Sequence, residues 1–101
     1  MKILKQLQKC IGFDWDRHNR DKNWDKHKVS FVECEEFFFS HFIVQTDIKH
    51  SQHESRFYAL GTTRQSRILF VVFTIRNNKI RIISARDANF KERNFYENSK
   101  V

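Results

Sequence analysis

Glu54 and Arg56 stand two residues apart, a spacing that puts both side chains on one face of an extended chain. A carboxylate and an arginine projecting together can serve as a base and a phosphate clamp. The same pair is equally an exposed ion pair worth roughly 0–1 kcal/mol. Lys26-His27 closes a polar stretch just ahead of Ser30. Histidine titrates near neutrality and can act as acid or base. At the end of a helix it is also simply a cation that complements the dipole. Arg76, Lys79, Arg81, Arg86 and Arg93 give the C-terminal part of the chain a cationic surface. Arginine grips phosphate bidentately and can stabilise the extra charge of a phosphoryl transition state. Its bland role is to keep a sheet edge from pairing with other chains.

His50, His53 and Glu54 invite a metal reading, but they lack HExxH spacing and no cysteine joins them. We therefore expect no metal and no cofactor. P-loop, nucleophile-elbow, zinc-finger and dinucleotide fingerprints are all missing from the sequence. Chemistry by itself leaves a basic domain that binds RNA or DNA, with nuclease activity open.

These side chains need elements to position them. The central one is Arg67 to Arg86, which reads as a hairpin of two long strands. Ile68 to Ile75 is apolar except at Thr74, as in a strand buried on both faces. Asn77-Asn78 supplies a type I′ turn, because asparagine tolerates the positive φ that both turn positions need. The register follows: Arg76 opposite Lys79, Ile75 opposite Ile80, Thr74 opposite Arg81 and Phe73 opposite Ile82. One face then carries Phe73, Ile75, Ile80 and Ile82. The other carries Arg76, Lys79, Thr74 and Arg81, with Val72, Ile83, Phe70 and Ala85 further along.

Elsewhere, Phe13-Asp14-Trp15 reads as a short first strand and Asp16 as a helix N-cap. Residues 17–27 form a polar surface helix with Trp24 as its apolar anchor. Ser30 to Glu33 has capping-box spacing and opens a helix over about 31–39. A second strand runs through Phe42, Ile43 and Val44, and residues 48–55 are a loop. A third strand spans Arg56 to Thr62, and Thr63 to Ser66 turn into the hairpin. A last helix has Lys91 to Glu97 as its body, with Phe90, Phe95 and Tyr96 as anchors. The order β–α–α–β–β–β–β–α predicts an α+β fold: a small antiparallel meander flanked by two N-terminal helices and one C-terminal helix. Phe31, Phe37, Phe38, Val71, Phe73 and Ile82 are expected in the core.

The chain has 101 residues, enough for one domain with one core. Its net charge is +7, from 19 Lys+Arg against 12 Asp+Glu, which points to a polyanionic partner such as nucleic acid. No apolar run approaches the roughly 18–20 residues of a membrane span, so no membrane partner is expected. Residues 1–12 have no continuous apolar stretch of the signal-peptide kind. Cys10 and Cys34 form no CxxC and read as free thiols, one exposed and one buried, in a reducing cytoplasm.

The residues just named resemble the BrnT family, toxins of type II toxin–antitoxin modules. The resemblance runs from Phe13 to Tyr96, leaving residues 1–12 as an extension and 13–98 as a single domain. Its pieces are Phe13-x-Trp15-Asp16 and Asn23-x-x-Lys26-His27-x-Val29-Ser30-Phe31. Then come Asp47-x-x-His50-Ser51-x-x-Glu54-x-Arg56 with Gly61, and Arg67-x-Leu69. Arg81 to Arg86 and Glu92-Arg93-x-x-Tyr96 complete it. Lys28 and Ser66 stand where the family usually has glycine.

The resemblance implies a RelE-like fold and a ribonuclease toxin that cleaves RNA to arrest growth. It also implies a BrnA-type antitoxin, forming a hetero-oligomeric complex that binds operator DNA through the antitoxin. Metal-independent attack by the substrate's own 2′-hydroxyl needs a base, cationic donors and an acid. Glu54 or His27 could be the base, Arg81 and Arg86 the clamps, and His27 or Tyr96 the acid. Lys26, Arg56, Arg76, Lys79, Arg93 and Tyr96 are expected to contact RNA. The rival is a non-catalytic nucleic-acid- or protein-binding module that uses the same basic face.

Overall fold

Asn77 and Asn78 adopt φ of 54° and 58°, the left-handed pair that a type I′ turn requires. The turn joins β3 (Ile68–Arg76) to β4 (Lys79–Asp87). The four pairings from Arg76↔Lys79 to Phe73↔Ile82 stand as the turn dictates. The computed structural model describes residues 2–51 and 54–99. Before the hairpin come α1 (Lys2–Gln8), α2 (Arg17–His27), α3 (Phe31–Phe37), β1 (Ile43–Thr46), a short 3-10 turn (Ile48–His50) and β2 (Arg56–Thr62). After it comes α4 (Phe90–Ser99). The four strands pair antiparallel in the order β1-β2-β3-β4, so the α+β meander is as expected.

Beyond Phe73 the register shifts by one residue, and Val72 pairs with Ser84 instead of Ile83. A bulge of this kind leaves one residue unpaired and restores alternation beyond it. It turns Ala85 into the core beside Val71 and brings Arg86 opposite Phe70 on the outer face. The face expected to carry Ile83 and Ala85 therefore carries Ser84 and Arg86 instead.

The inner face is dry. Leu69, Val71, Phe73, Ile82 and Ala85 have no exposed surface. Phe38 and Phe57 set their rings 5.0 and 5.5 Å from that of Phe73. Phe37 from α3 is equally buried and rests on Gly61, where an added Cβ would come within 2.7 Å of its ring. Phe31 is only half-buried and lies under the Arg20 guanidinium at 4.0 Å. It belongs to the rim instead of the expected core. The outer face of β3 is covered only in part: Thr74 is buried, while Phe70 and Val72 stay partly exposed.

Phe13 makes one parallel bridge to Ile80 and no strand. It still closes the outer edge of β4: the Ile80 N–H donates to the Gly12 carbonyl and the Asp14 N–H to that of Ile80. Residues 1–12 contribute α1, whose Ile3 is buried in the core with Leu7 and Cys10 packed against it. In α2 the anchor is Asn23, 1% exposed, while Trp24 is 50% exposed. Asn23 Oδ1 accepts the Ala85 N–H of β4, satisfying an edge donor that an apolar anchor could not. In α4, Tyr96 alone of the three expected aromatic anchors is buried, and Phe90 and Phe95 keep more than half of their surface exposed. Cys34 is a buried thiol, pushed by desolvation up to about 12, and Cys10 is half-exposed.

Candidate nucleic-acid interface

Cross-strand partners share a face of a sheet, so the register sorts the outer surface into rows. The row nearest the turn holds Arg76 and Lys79. The next holds Arg56, Thr74 and Arg81. Gln45, Tyr58, Val72 and Ser84 follow, and then Ile43, Leu60, Phe70 and Arg86. The surface thus grades from cationic at the turn to aromatic and apolar beneath α4.

At the turn end the Arg76 Nη2 donates to Glu54 Oε1 at 2.7 Å. Glu54 is thereby tied to β3 and not to Arg56, its expected neighbour. Arg81 is held from the other side: its Nη1 reaches Asp14 Oδ2 at 3.3 Å and its Nη2 reaches Asp16 Oδ2 at 3.0 Å. Asp16 also accepts the His18 N–H as the cap of α2. That bond, helped by Arg81, holds its carboxyl below the usual range. One segment, Asp14 to Asp16, thus fixes a guanidinium more than sixty residues further along the chain. Arg56 and Lys79 make no ion pair among the described residues and are the free cations here.

The opposite end of β4 gathers a second group. Helix α2 runs alongside β4, with Asp16 beside Arg81 and Asn23 beside Ala85, and this delivers Lys26 and His27 near Asp87. Arg67 organises this end. Its Nε and Nη2 donate to the Asp87 carboxylate at 2.6 and 3.1 Å, and its Nη1 to Glu33 at 3.0 Å. Its Nη2 also reaches the His27 carbonyl at 2.9 Å. The Arg67 bond holds the Asp87 carboxyl below its ordinary range, with His27 and Arg93 adding to the effect. Sequence reasoning assigned no role to Arg67. The signal available was its place between two turns, with carboxylates at both helix starts.

Arg86 is paired with Glu92 through two nitrogens at 2.8 and 3.0 Å and lies 4.3 Å over the Phe70 ring. The Glu92 carboxyl is held low by that pair and also caps Asn89 at the start of α4. Tyr96 is 1% exposed and its hydroxyl donates to the His41 carbonyl. Packing accounts for it, and it presents no acid to the outer face. His50 is held by Asp47 through Nδ1 at 2.9 Å, and His53 lies outside the described residues. Among the described residues no three His, Cys, Asp or Glu side chains group as metal ligands.

The candidates therefore form two sites, not one. Glu54, Arg56, Arg76, Lys79 and Arg81 meet at the turn. Lys26, His27, Arg86 and Arg93 lie toward the other end of β4. Counting along β3 from Thr74 to Phe70, the Arg81 and Arg86 rows are about 13 Å apart.

Residues 15–92 match the family described as the ribonuclease toxin, BrnT, of type II toxin–antitoxin systems. Among solved structures, that of the Brucella abortus ribonuclease toxin BrnT aligns over 77% of this chain and 96% of its own. The TM-score is 0.57 and the sequence identity 25%. No curated protein matches.

Proposed function

The chain belongs to the BrnT family, ribonuclease toxins of type II toxin–antitoxin systems, and we propose that it cuts RNA endonucleolytically at the turn end of the β3–β4 hairpin, without a metal ion. The observation that carries this reading is that Glu54, paired with Arg76, shares the turn end of the sheet with Arg56 and Lys79, which make no ion pair among the described residues, and with Arg81 braced by Asp14 and Asp16. Glu54 takes the proton of the 2′-hydroxyl. The 2′-oxygen bonds to phosphorus as the bond from phosphorus to the 5′-oxygen breaks. The leaving oxygen is protonated from solvent at this open end. Arg81 and Arg56 supply donors to the phosphate oxygens as charge builds on them. Arg81 needs no reorganisation to do so, because Asp14 and Asp16 already hold its fork in place.

His27 sits with Lys26 and Arg93 at the far end of β4 and serves there as an RNA contact. Arg86, expected among the clamps, braces Phe70 and α4. A type II family brings a protein antitoxin with it. The fit of a BrnA-type antitoxin to the basic face would neutralise part of the +7 charge, and its DNA-binding part would carry the complex to an operator. Among the described residues no helix is long and apolar enough to cross a membrane. We place the protein in the cytoplasm with its substrate.

Single-turnover cleavage of RNA by the purified chain in EDTA tests the reading. Glu54→Gln should slow cleavage about 10²–10⁴-fold and leave RNA affinity within a factor of a few. Parallel loss of cleavage and affinity would favour a binding module. A strict need for a divalent metal would overturn the mechanism.

A further inference from the structure

The apolar end of the outer face is a cleft of about 500 Å³ between the sheet and α4. Its floor is Ile43, Leu60, Tyr58 and Phe70, and Phe95 forms its helix wall. Phe95 is 60% exposed although it faces an apolar surface, so the cleft is an unfilled slot. Tyr58 and Phe70 stack with centroids 5.8 Å apart and planes 25° from parallel. The Phe70 ring is braced by Arg86 at 4.3 Å.

We propose that this cleft receives an unpaired nucleobase of the RNA being cut, stacked on the Tyr58–Phe70 pair and walled by Phe95. The proposal rests on the ribonuclease reading and gives it a substrate subsite. Flat aromatic surface set in a cationic frame is the usual platform for a single-stranded base, because every base has a π-face. Here the frame is Lys91 in the lining and Arg86 behind the stack, with the Glu92 carboxylate that pairs with Arg86 also lining the cleft. Gln45 adds a polar handle: its Oε1 accepts the Tyr58 hydroxyl at 2.7 Å, which leaves its amide NH₂ as a donor for a base edge. The cleft also lies on the same face as Arg56, Lys79 and Arg81, about 13 Å along β3, within the reach of a few nucleotides. An apolar side chain of a protein partner would fill the volume but would give the Gln45 amide and Lys91 no counterpart.

The test uses a short single-stranded DNA, which lacks the 2′-hydroxyl and is not cut, and a matching oligonucleotide that is abasic throughout. Affinities are measured for the full chain and for Phe95→Ala and Tyr58→Ala. Both substitutions should weaken the normal oligonucleotide roughly tenfold to a hundredfold and leave the abasic one within a factor of two or so. Equal losses on both oligonucleotides, or no loss on either, would overturn the base site. So would lost capture of the antitoxin with oligonucleotide binding unchanged, which would assign the cleft to the protein partner. Phe95→Ala removes an exposed side chain, so a folding defect cannot stand in for the result. Base-dependent binding by a wild-type chain that cleaves no RNA would sink the ribonuclease mechanism alone. Cleavage with no base dependence would sink this subsite alone.

Discussion

Arg67 Nη1 donates to the carbonyl oxygen of Lys28 at 2.7 Å, so the residue just ahead of β3 closes the junction between α2 and α3. Its other bonds, to His27, Glu33 and Asp87, make it the meeting point of three stretches of chain: the end of α2, the start of α3 and the end of β4. Arg67→Ala strands two carboxylates and two helix-end carbonyls together. We expect a loss of about 2–4 kcal/mol, a few charge-assisted bonds discounted for partial exposure. Arg67→Lys should recover less than half of it, since an ammonium cannot serve all these acceptors at once. The urea midpoint measures both. A variant as stable as wild type would show that the cluster is ornamental.

The same contact sets a pH dependence. Asp87 is held below the carboxylate range by Arg67, and Glu92 by Arg86. Depressed carboxylates contribute stability that is complete above their unfolded pKa values, near 3.9–4.3, and lost as pH falls through the folded ones. The midpoint should hold from neutrality to about pH 5 and decline below roughly pH 4. In Arg67→Ala the Asp87 part of that decline should vanish, giving a shallower acid limb. An equally steep limb in the variant would contradict the assignment.

Ser66 and Lys28 both sit in the left-handed region, at φ 67° and 52°. A side chain is strained there and glycine is not. Ser66→Gly should therefore stabilise the fold by roughly 0.5–1 kcal/mol. Lys28→Gly should gain less, because the lysine ammonium also lies 5.2 Å over Trp24. Thermal melts read both changes, and a lowered Tm for Ser66→Gly would refute the strain.

Phe73 and Phe95 make a contrasting pair. Phe73→Ala empties a fully buried site and should cost about 3–5 kcal/mol. Phe95→Ala should stay within about 0.5 kcal/mol of wild type. Similar losses for the two would mean that α4 is packed more tightly than its exposure shows.

Arg81→Ala should slow RNA cleavage on the order of 10²–10³-fold at saturating enzyme, and Arg81→Lys should restore only part of that. Asp16→Asn loosens one of the two braces on the guanidinium and should give a smaller loss of rate with little change in affinity. A wild-type rate for Arg81→Ala would remove this arginine from the site.

The hairpin was legible because Asn77-Asn78 admits one turn and that turn fixes four pairings. The bulge at Val72 and Phe73 was not, since Ile83 is as apolar as its neighbours and nothing in its type marks it as unpaired. Size misled in α2: Trp24 looked like the anchor, yet the side chain that docks on β4 is Asn23, whose Oδ1 accepts the Ala85 N–H. The cationic rows could be read from the register. Their division into two ends could not, because it depends on α2 carrying His27 along the length of β4. The carboxylates that occupy Arg76 and Arg81 are long-range partners that no local pattern announces.

Sheet order here repeats chain order, so each strand pairs with the one made just before it. Such a meander has low contact order and can assemble hairpin by hairpin. The N-terminal half is different. Arg81 reaches back 67 residues to Asp14, and the Ala85 amide reaches back 62 to Asn23. During synthesis α2 can bond Arg67 through its C-terminal end, but its bonds to β4 must wait until that strand has left the ribosome. The brace on Arg81 is thus among the last contacts to form. If Arg81 serves cleavage as proposed, a nascent chain of this build lacks its braced arginine through nearly all of its own translation.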